Sequence, residues 1–87
     1  MAYAIEVLPS AARQIAKLPA DVRKRIARRI DSLAVNPRPA GVKILAADEQ
    51  IHRLRVGDYR VLYQVKDDVL LIIVVKVGHR RDVDRHR

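Results

Sequence analysis

Arg53 and Arg55 stand two residues apart in a stretch, Ile51 to Val56, that alternates polar and apolar side chains. A strand sends side chains i and i+2 to one face, so both guanidinium groups project together while Leu54 and Val56 point the other way. Gly57-Asp58 is short enough to fold the chain back, and Arg60 follows in a second alternating stretch, Tyr59 to Val65, where a register beside Arg55 is open to it. His79, Arg80 and Arg81 come just past a third, more apolar stretch, Val69 to Val77. An antiparallel meander can return them to the Arg53–Arg60 end of the sheet. Cations gathered on one face repel each other unless an anion sits among them. Arginine offers a planar fork that grips phosphate through two N–H groups and hardly deprotonates. Such a set is suited to binding phosphate groups of a polyanion such as RNA. His79 is the member able to take up or release a proton near neutral pH.

The remaining candidates carry less chemistry. Arg23, Lys24, Arg25, Arg28 and Arg29 are expected to be a solvated helix face. Tyr3, Tyr59 and Tyr63 read as core or rim residues, and His52 and His86 as surface histidines. Three histidines without ligand spacing, acidic residues mainly in turns, and no cysteine leave no metal site to expect. Neither a glycine-rich phosphate loop, a nucleophile elbow nor a paired-carboxylate motif is present, and no cofactor is expected. Lys and Arg total 18 against 10 Asp and Glu, a formal charge of +8. A chain that basic binds polyanions in a salt-dependent way. The start of the chain does not read as a signal peptide, and the run Val69 to Val75 is too short to span a bilayer, so a cytoplasmic protein with no membrane partner is expected.

The elements that must position these residues are legible in the pattern. Tyr3 to Leu8 alternates and reads as a first strand, stopped by Pro9, with Ser10 expected to cap a helix carrying Ala11, Ile15 and Leu18 on one face. Leu18-Pro19 breaks that helix. A second should run from about Ala20 to Ala34 or Val35, with Asp21 in its first turn and Val22, Ile26, Ile30 and Leu33 as its apolar stripe. Asn36 to Gly41 is a loop, Val42 to Leu45 a short extended piece, and Ala46 to Gln50 a second loop. Three strands follow, divided by Gly57-Asp58 and Lys66-Asp67-Asp68. Eighty-seven residues are expected to form one domain, residues 1–87, of α+β class. Its order is β-α-α-β-β-β, a twisted antiparallel sheet with a two-helix hairpin on one face.

The stretch His52-Arg-Leu-Arg-Val-Gly-Asp-Tyr-Arg-Val-Leu-Tyr63, the acidic turn, the aliphatic strand and Val77-Gly-His-Arg-Arg-Asp-Val83 together resemble the RelE/ParE superfamily of type II toxin–antitoxin toxins. The Ser10-Ala-Ala-Arg opening, Leu18-Pro19 and Asn36-Pro37-Arg38 fit the same layout, so the resemblance covers nearly the whole chain. It implies a RelE-like, ribosome-dependent endoribonuclease, an mRNA interferase that stops translation and arrests growth. In that chemistry the 2′-hydroxyl attacks the adjacent phosphate, leaving a cyclic phosphate and a free 5′-hydroxyl. Carried over by motif, Arg53 and Arg55 match the family's paired basic positions, and Arg60 and Arg80 match phosphate-stabilising arginines. The implied RNA-binding set is Arg53, Arg55, Arg60, Arg80 and Arg81, with His79 available for proton transfer. The chain departs from the pattern at Asp84, where many active members carry a tyrosine that can stack on a base. Two alternatives follow: a ParE-like inhibitor of DNA gyrase, or a catalytically weakened toxin that only binds its antitoxin. The implied partners are a co-encoded acidic antitoxin, the ribosome and messenger RNA, with DNA reached only through the antitoxin.

Overall fold

The computed structural model describes residues 2–46 and 50–83. The chain runs β1 (Ala4–Val7), α1 (Pro9–Ala16), α2 (Ala20–Leu33), β2 (Lys43–Ala46), β3 (Ile51–Val56), β4 (Tyr59–Lys66), β5 (Leu71–His79) and a single turn of helix, α3 (Arg80–Val83). The five strands form one sheet in the order β1-β5-β4-β3-β2. β2 to β5 make the expected antiparallel meander, and β1 lies parallel to β5, pairing Ala4 with Leu71 through Val7 with Val74. The architecture is thus the expected α+β arrangement of two helices on one face of a sheet, to which the short extended piece adds a fifth strand, β2, and in which β1 pairs in parallel.

The helices form where the apolar spacing demands and end where proline intervenes. α1 begins at Pro9, whose missing N–H costs nothing in a first turn. Ser10 therefore lies inside the helix rather than capping it; the N-cap is Leu8, which offers no side-chain bond. α2 buries Val22, Ile26, Ile30 and Leu33 and keeps Asp21 in its first turn. These residues and Ala11 meet Leu54 and Val56 of β3, Val61, Tyr63 and Val65 of β4, and Ile72, Val74 and Val77 of β5 in one core. With no Phe or Trp in the chain, this core is built largely of branched aliphatic side chains that must interdigitate.

β5 starts two residues later than its composition suggests. Leu70 takes φ 52°, its N–H reaches Asp67 O at 3.4 Å, and Val69 is left exposed in the turn. Farther along, a bulge opposes Leu62 to Lys76 but Tyr63 to Val74, so Val75 is the extra residue. Strict alternation from Ile72 and Val74 would carry Lys76 into the core. The bulge instead buries Val77 and turns Lys76 to the opposite face. Gln14 of α1 accepts the Val77 N–H through Oε1 at 2.8 Å, supplying a partner where β1 no longer runs beside β5.

At the far end of the sheet the Asn36–Gly41 loop is tied to the β4–β5 turn. Arg38 grips Asp67 with two N–H groups at 2.8 and 3.2 Å, and the Tyr3 hydroxyl donates to Asp67 Oδ1 at 2.6 Å. These two donors, Arg38 first, hold the Asp67 carboxyl down at about 2, against an ordinary 3.8. A depressed carboxyl stabilises the fold above the unfolded-state value and loses that contribution as pH falls through the folded one. The difference in melting temperature between the native chain and Asp67→Asn is therefore expected to be largest above about pH 4 and to close as pH approaches about 2. Thermal melts across that window check it; a difference that stays constant with pH would break the link to ionisation. Because the pair is solvent-exposed, raised salt should shrink the effect.

A basic cleft at the open edge of the third strand

The β3–β4 hairpin sets the geometry of the candidate site. Its turn has Gly57 at φ 59° as the first of two central residues, a conformation that glycine adopts without Cβ strain. The resulting register places Arg55 directly opposite Arg60, as the alternation suggested, and Arg53 opposite Leu62. Directly opposed residues in an antiparallel pair share a face, with Cβ atoms about 4.5–5.5 Å apart. Two rows therefore cross the face that carries neither α1 nor α2. One reads Lys43, Arg53, Leu62, Lys76 from β2 to β5; the next reads Arg55, Arg60, Gly78 from β3 to β5. Leu62 is only 2% exposed yet stands outside the main core, an apolar floor between cationic neighbours.

Arg60 is only 4% exposed. Its Nη1 donates to the carbonyls of Tyr59 at 3.2 Å and Gly57 at 3.4 Å, which folds the guanidinium back against the hairpin turn. A buried cation held by carbonyl groups is positioned before any ligand arrives. Around it, Arg29, Lys43, Arg53 and Arg55, with Ala40, Gly41 and Leu54, line a cleft of about 310 Å³. The cleft opens where β2, which begins opposite Arg53, no longer covers β3. No acidic side chain lines it among the described residues.

The other expected members are placed differently. Arg80 and Arg81 are exposed in α3, and the Arg80 N–H donates to Asp58 O at 2.8 Å, which fixes the start of α3 beside the β3–β4 turn. His79 pairs with Tyr59 and meets its ring edge-on at 5.6 Å, on the side of the sheet where Tyr59 packs against the core. It does not join Arg53, Arg55 and Arg60 on their face. Its Nδ1 instead accepts the Arg81 N–H at 3.3 Å, in the first turn of α3. Asp84 and His86 lie outside the described residues.

His52 corrects the expectation of a surface histidine. It is 2% exposed, stacks on Tyr63 at 5.3 Å and 25°, and its Nδ1 lies 2.8 Å from Gln50 O. The parity of β3 sends position 52 to the helix side together with Leu54 and Val56. Tyr63 beside it is fully buried; its hydroxyl donates to Pro37 O at 2.7 Å, and burial pushes the phenol up to about 12. Three cations of the site went unread in the sequence: Arg29, Lys43 and Lys76. Arg29 was grouped with a solvated helix face, and only the lie of α2 over β3 brings it to the cleft. Lys43 could have been found from the short extended piece at Val42 to Leu45, had its pairing with β3 been drawn. No group of three or more His, Cys, Asp or Glu suited to a metal ion exists among the described residues, and no described helix is long and apolar enough to cross a membrane.

A five-stranded sheet with two helices on one face thus carries a cationic cleft at the bare end of β3, reaching from Arg29 of α2 to the helix-free face of Arg53, Arg55 and Arg60. Residues 5–84 match the family model described as the ParE toxin of the type II toxin–antitoxin system parDE, and the chain belongs to that RelE/ParE family. Among individual proteins, it is 28% identical over 81 residues to the mRNA interferase toxin RelE of Escherichia coli K12, covering 92% of this chain and 85% of that one. Its fold is similar to that of a chain of the archaeal RelE–RelB complex from Pyrococcus horikoshii (TM-score 0.80, 26% identity, 92% of this chain and 97% of the other). The intact Escherichia coli RelBE complex gives a TM-score of 0.78 at 25% identity, covering 90% and 96% of the two chains.

Proposed function

We propose that this RelE-like toxin is a ribosome-dependent endoribonuclease that seats a messenger-RNA phosphate in the cleft of Arg53, Arg55 and Arg60. The observation that carries this reading is the Arg55–Arg60 cross-strand pair beside Arg53 and Lys43, in a cleft lined by no acidic side chain among the described residues. The likeness to an mRNA interferase over nearly the full chain supports it. The 2′-oxygen attacks phosphorus as its proton leaves; the bond to the 5′-oxygen breaks, and that oxygen takes up a proton. The products are a 2′,3′-cyclic phosphate and a 5′-hydroxyl. Arg60 and the Arg53–Arg55 pair stabilise the extra negative charge on the phosphorane, the part of such reactions where preorganised cations contribute most. Arg80 and Arg81, fixed beside the same turn, hold the strand as it leaves the cleft. His79 positions that pair through the Arg81 N–H. None of the arginines is suited to remove a proton at neutral pH, so a reaction that needs the ribosome to align the 2′-oxygen fits this site better than attack on free RNA.

Primer extension on messages from cells expressing the toxin is expected to show new 5′ ends within translated regions and none when translation is blocked beforehand. Absence of new ends during growth arrest would remove the nuclease reading. In its place would stand inhibition of DNA gyrase, a reading favoured by the ParE description of the matching family and tested by a supercoiling assay with purified protein. Similar structures are toxin–antitoxin complexes. The partner of this chain is accordingly a co-encoded antitoxin, whose acidic segment folds over the basic cleft and neutralises it.

A further inference from the structure

A second concave surface adjoins the cleft and shares a wall with it. Arg25, Arg28 and Arg29 of α2, with Val56 and Gly57 at the end of β3, line a hollow of about 290 Å³. Arg29 lines both hollows, and both lie along the part of β3 that β2 leaves bare. Arg25 overhangs the hairpin turn, its two terminal nitrogens 3.7 Å from where a Cβ on Gly57 would stand. Spacings of three and four residues put Arg25, Arg28 and Arg29 on one side of the helix, where like charges destabilise it. None of the three forms an ion pair with a described residue, although Asp21 and Asp31 lie on the same helix. The fold thus keeps a set of mutually repelling cations in a hollow, a cost that a bound polyanion removes. Among the described residues no aromatic ring lines the hollow, so it offers charge to a backbone rather than a ring for a base to stack on.

The geometry points to a second phosphodiester-binding site at Arg25 and Arg28, continuous through Arg29 with the first cleft, which takes the phosphates of the same RNA strand next to the reacting one. It rests on the RNA reading of the first cleft and adds to it a track that depends on strand length and ignores sequence. Because Arg25 and Arg28 are exposed and removing them relieves repulsion, the double variant Arg25→Gln/Arg28→Gln is expected to melt no lower than the native chain.

The test is binding of 2′-O-methyl oligoribonucleotides, which cannot be cleaved, across a salt series. A trinucleotide sized for the first cleft is compared with a dodecanucleotide. For a single strand each phosphate contact adds about 0.7 to the slope of log affinity against log salt, so the double variant is expected to lose about 1.4 of slope with the dodecanucleotide. Its affinity for the trinucleotide is expected to stay unchanged. An unchanged dodecanucleotide slope, or an equal loss with both lengths, would overturn the second site while leaving the first cleft intact. A loss confined to ribosomes carrying no message would assign the surface to structured RNA and overturn the single-strand track. Arg53→Gln/Arg55→Gln is expected to weaken both oligonucleotides. If the native chain holds neither, it is the RNA reading of the first cleft that falls, and the second site with it.

Discussion

Arg60→Met is expected to slow ribosome-dependent cleavage of messages by about 10²-fold or more, the usual loss when one preorganised charge-stabilising donor is removed. The variant keeps an unbranched stem of similar bulk in a position that is only 4% exposed. It removes a buried cation that faces Arg55 across the hairpin. Met keeps the buried bulk but gives up the bonds to the Gly57 and Tyr59 carbonyls, so the variant is expected to melt somewhat lower than the native chain yet stay folded at the assay temperature. That separation makes the measurement decisive. A folded Arg60→Met chain that cleaves at the native rate would show that Arg60 contributes nothing to the reacting phosphate. Arg60→Lys sharpens it further, because lysine keeps the charge but cannot reproduce the guanidinium fork held by Gly57 and Tyr59 carbonyls. It is expected to cleave faster than Arg60→Met and more slowly than the native chain.

The second large effect concerns stability. Ile26 on α2 is fully buried among the branched side chains of β3, β4 and β5. Ile26→Ala removes that volume from a core built largely of branched aliphatic side chains, in which the buried Tyr63 ring is held by its hydroxyl on Pro37 O. Such truncations cost about 2–5 kcal/mol. In a domain of this size each kcal/mol lowers the melting temperature by about 4–8 °C, so a fall of about 8–40 °C is expected. Lys24→Ala, two residues earlier on the exposed side of the same helix, is expected to move it by only a few degrees. Equal shifts in the two variants would mean that helix propensity rather than packing sets the stability of α2.

Much of the site follows from parity alone. Arg53 and Arg55 had to share a face because they are two apart in a strand, and the two-residue Gly57-Asp58 turn left little freedom but to bring Arg60 opposite Arg55. Parity also applied to His52, but the residue was read by its polarity instead. Positions 52, 54 and 56 share a face, and that face carries the helices. His79 was misplaced for a related reason. Nearness to Arg80 and Arg81 in the chain suggested a common cluster, whereas pairing with Tyr59 sends its ring to the helix side.

What local sequence determined about this protein is therefore the order of its elements, the apolar stripes of α1 and α2, the hairpin with its paired arginines, and an excess of positive charge. These depend on neighbours within a few residues, on periods of two and 3.6, and on proline and glycine at the breaks. The tertiary structure decided the rest. The bulge at Val75 inverts the parity of β5, lifting Lys76 to the cationic face and sinking Val77 into the core, while Gln14 on a distant helix satisfies the Val77 N–H. The lie of α2 over the bare end of β3 brings Arg29 into the cleft and makes a hollow of Arg25 and Arg28. Neither is written in a local pattern, because each depends on which surfaces pack together. A helix seen alone shows which of its faces is polar; only the partner it packs against decides where the flank of that face comes to lie.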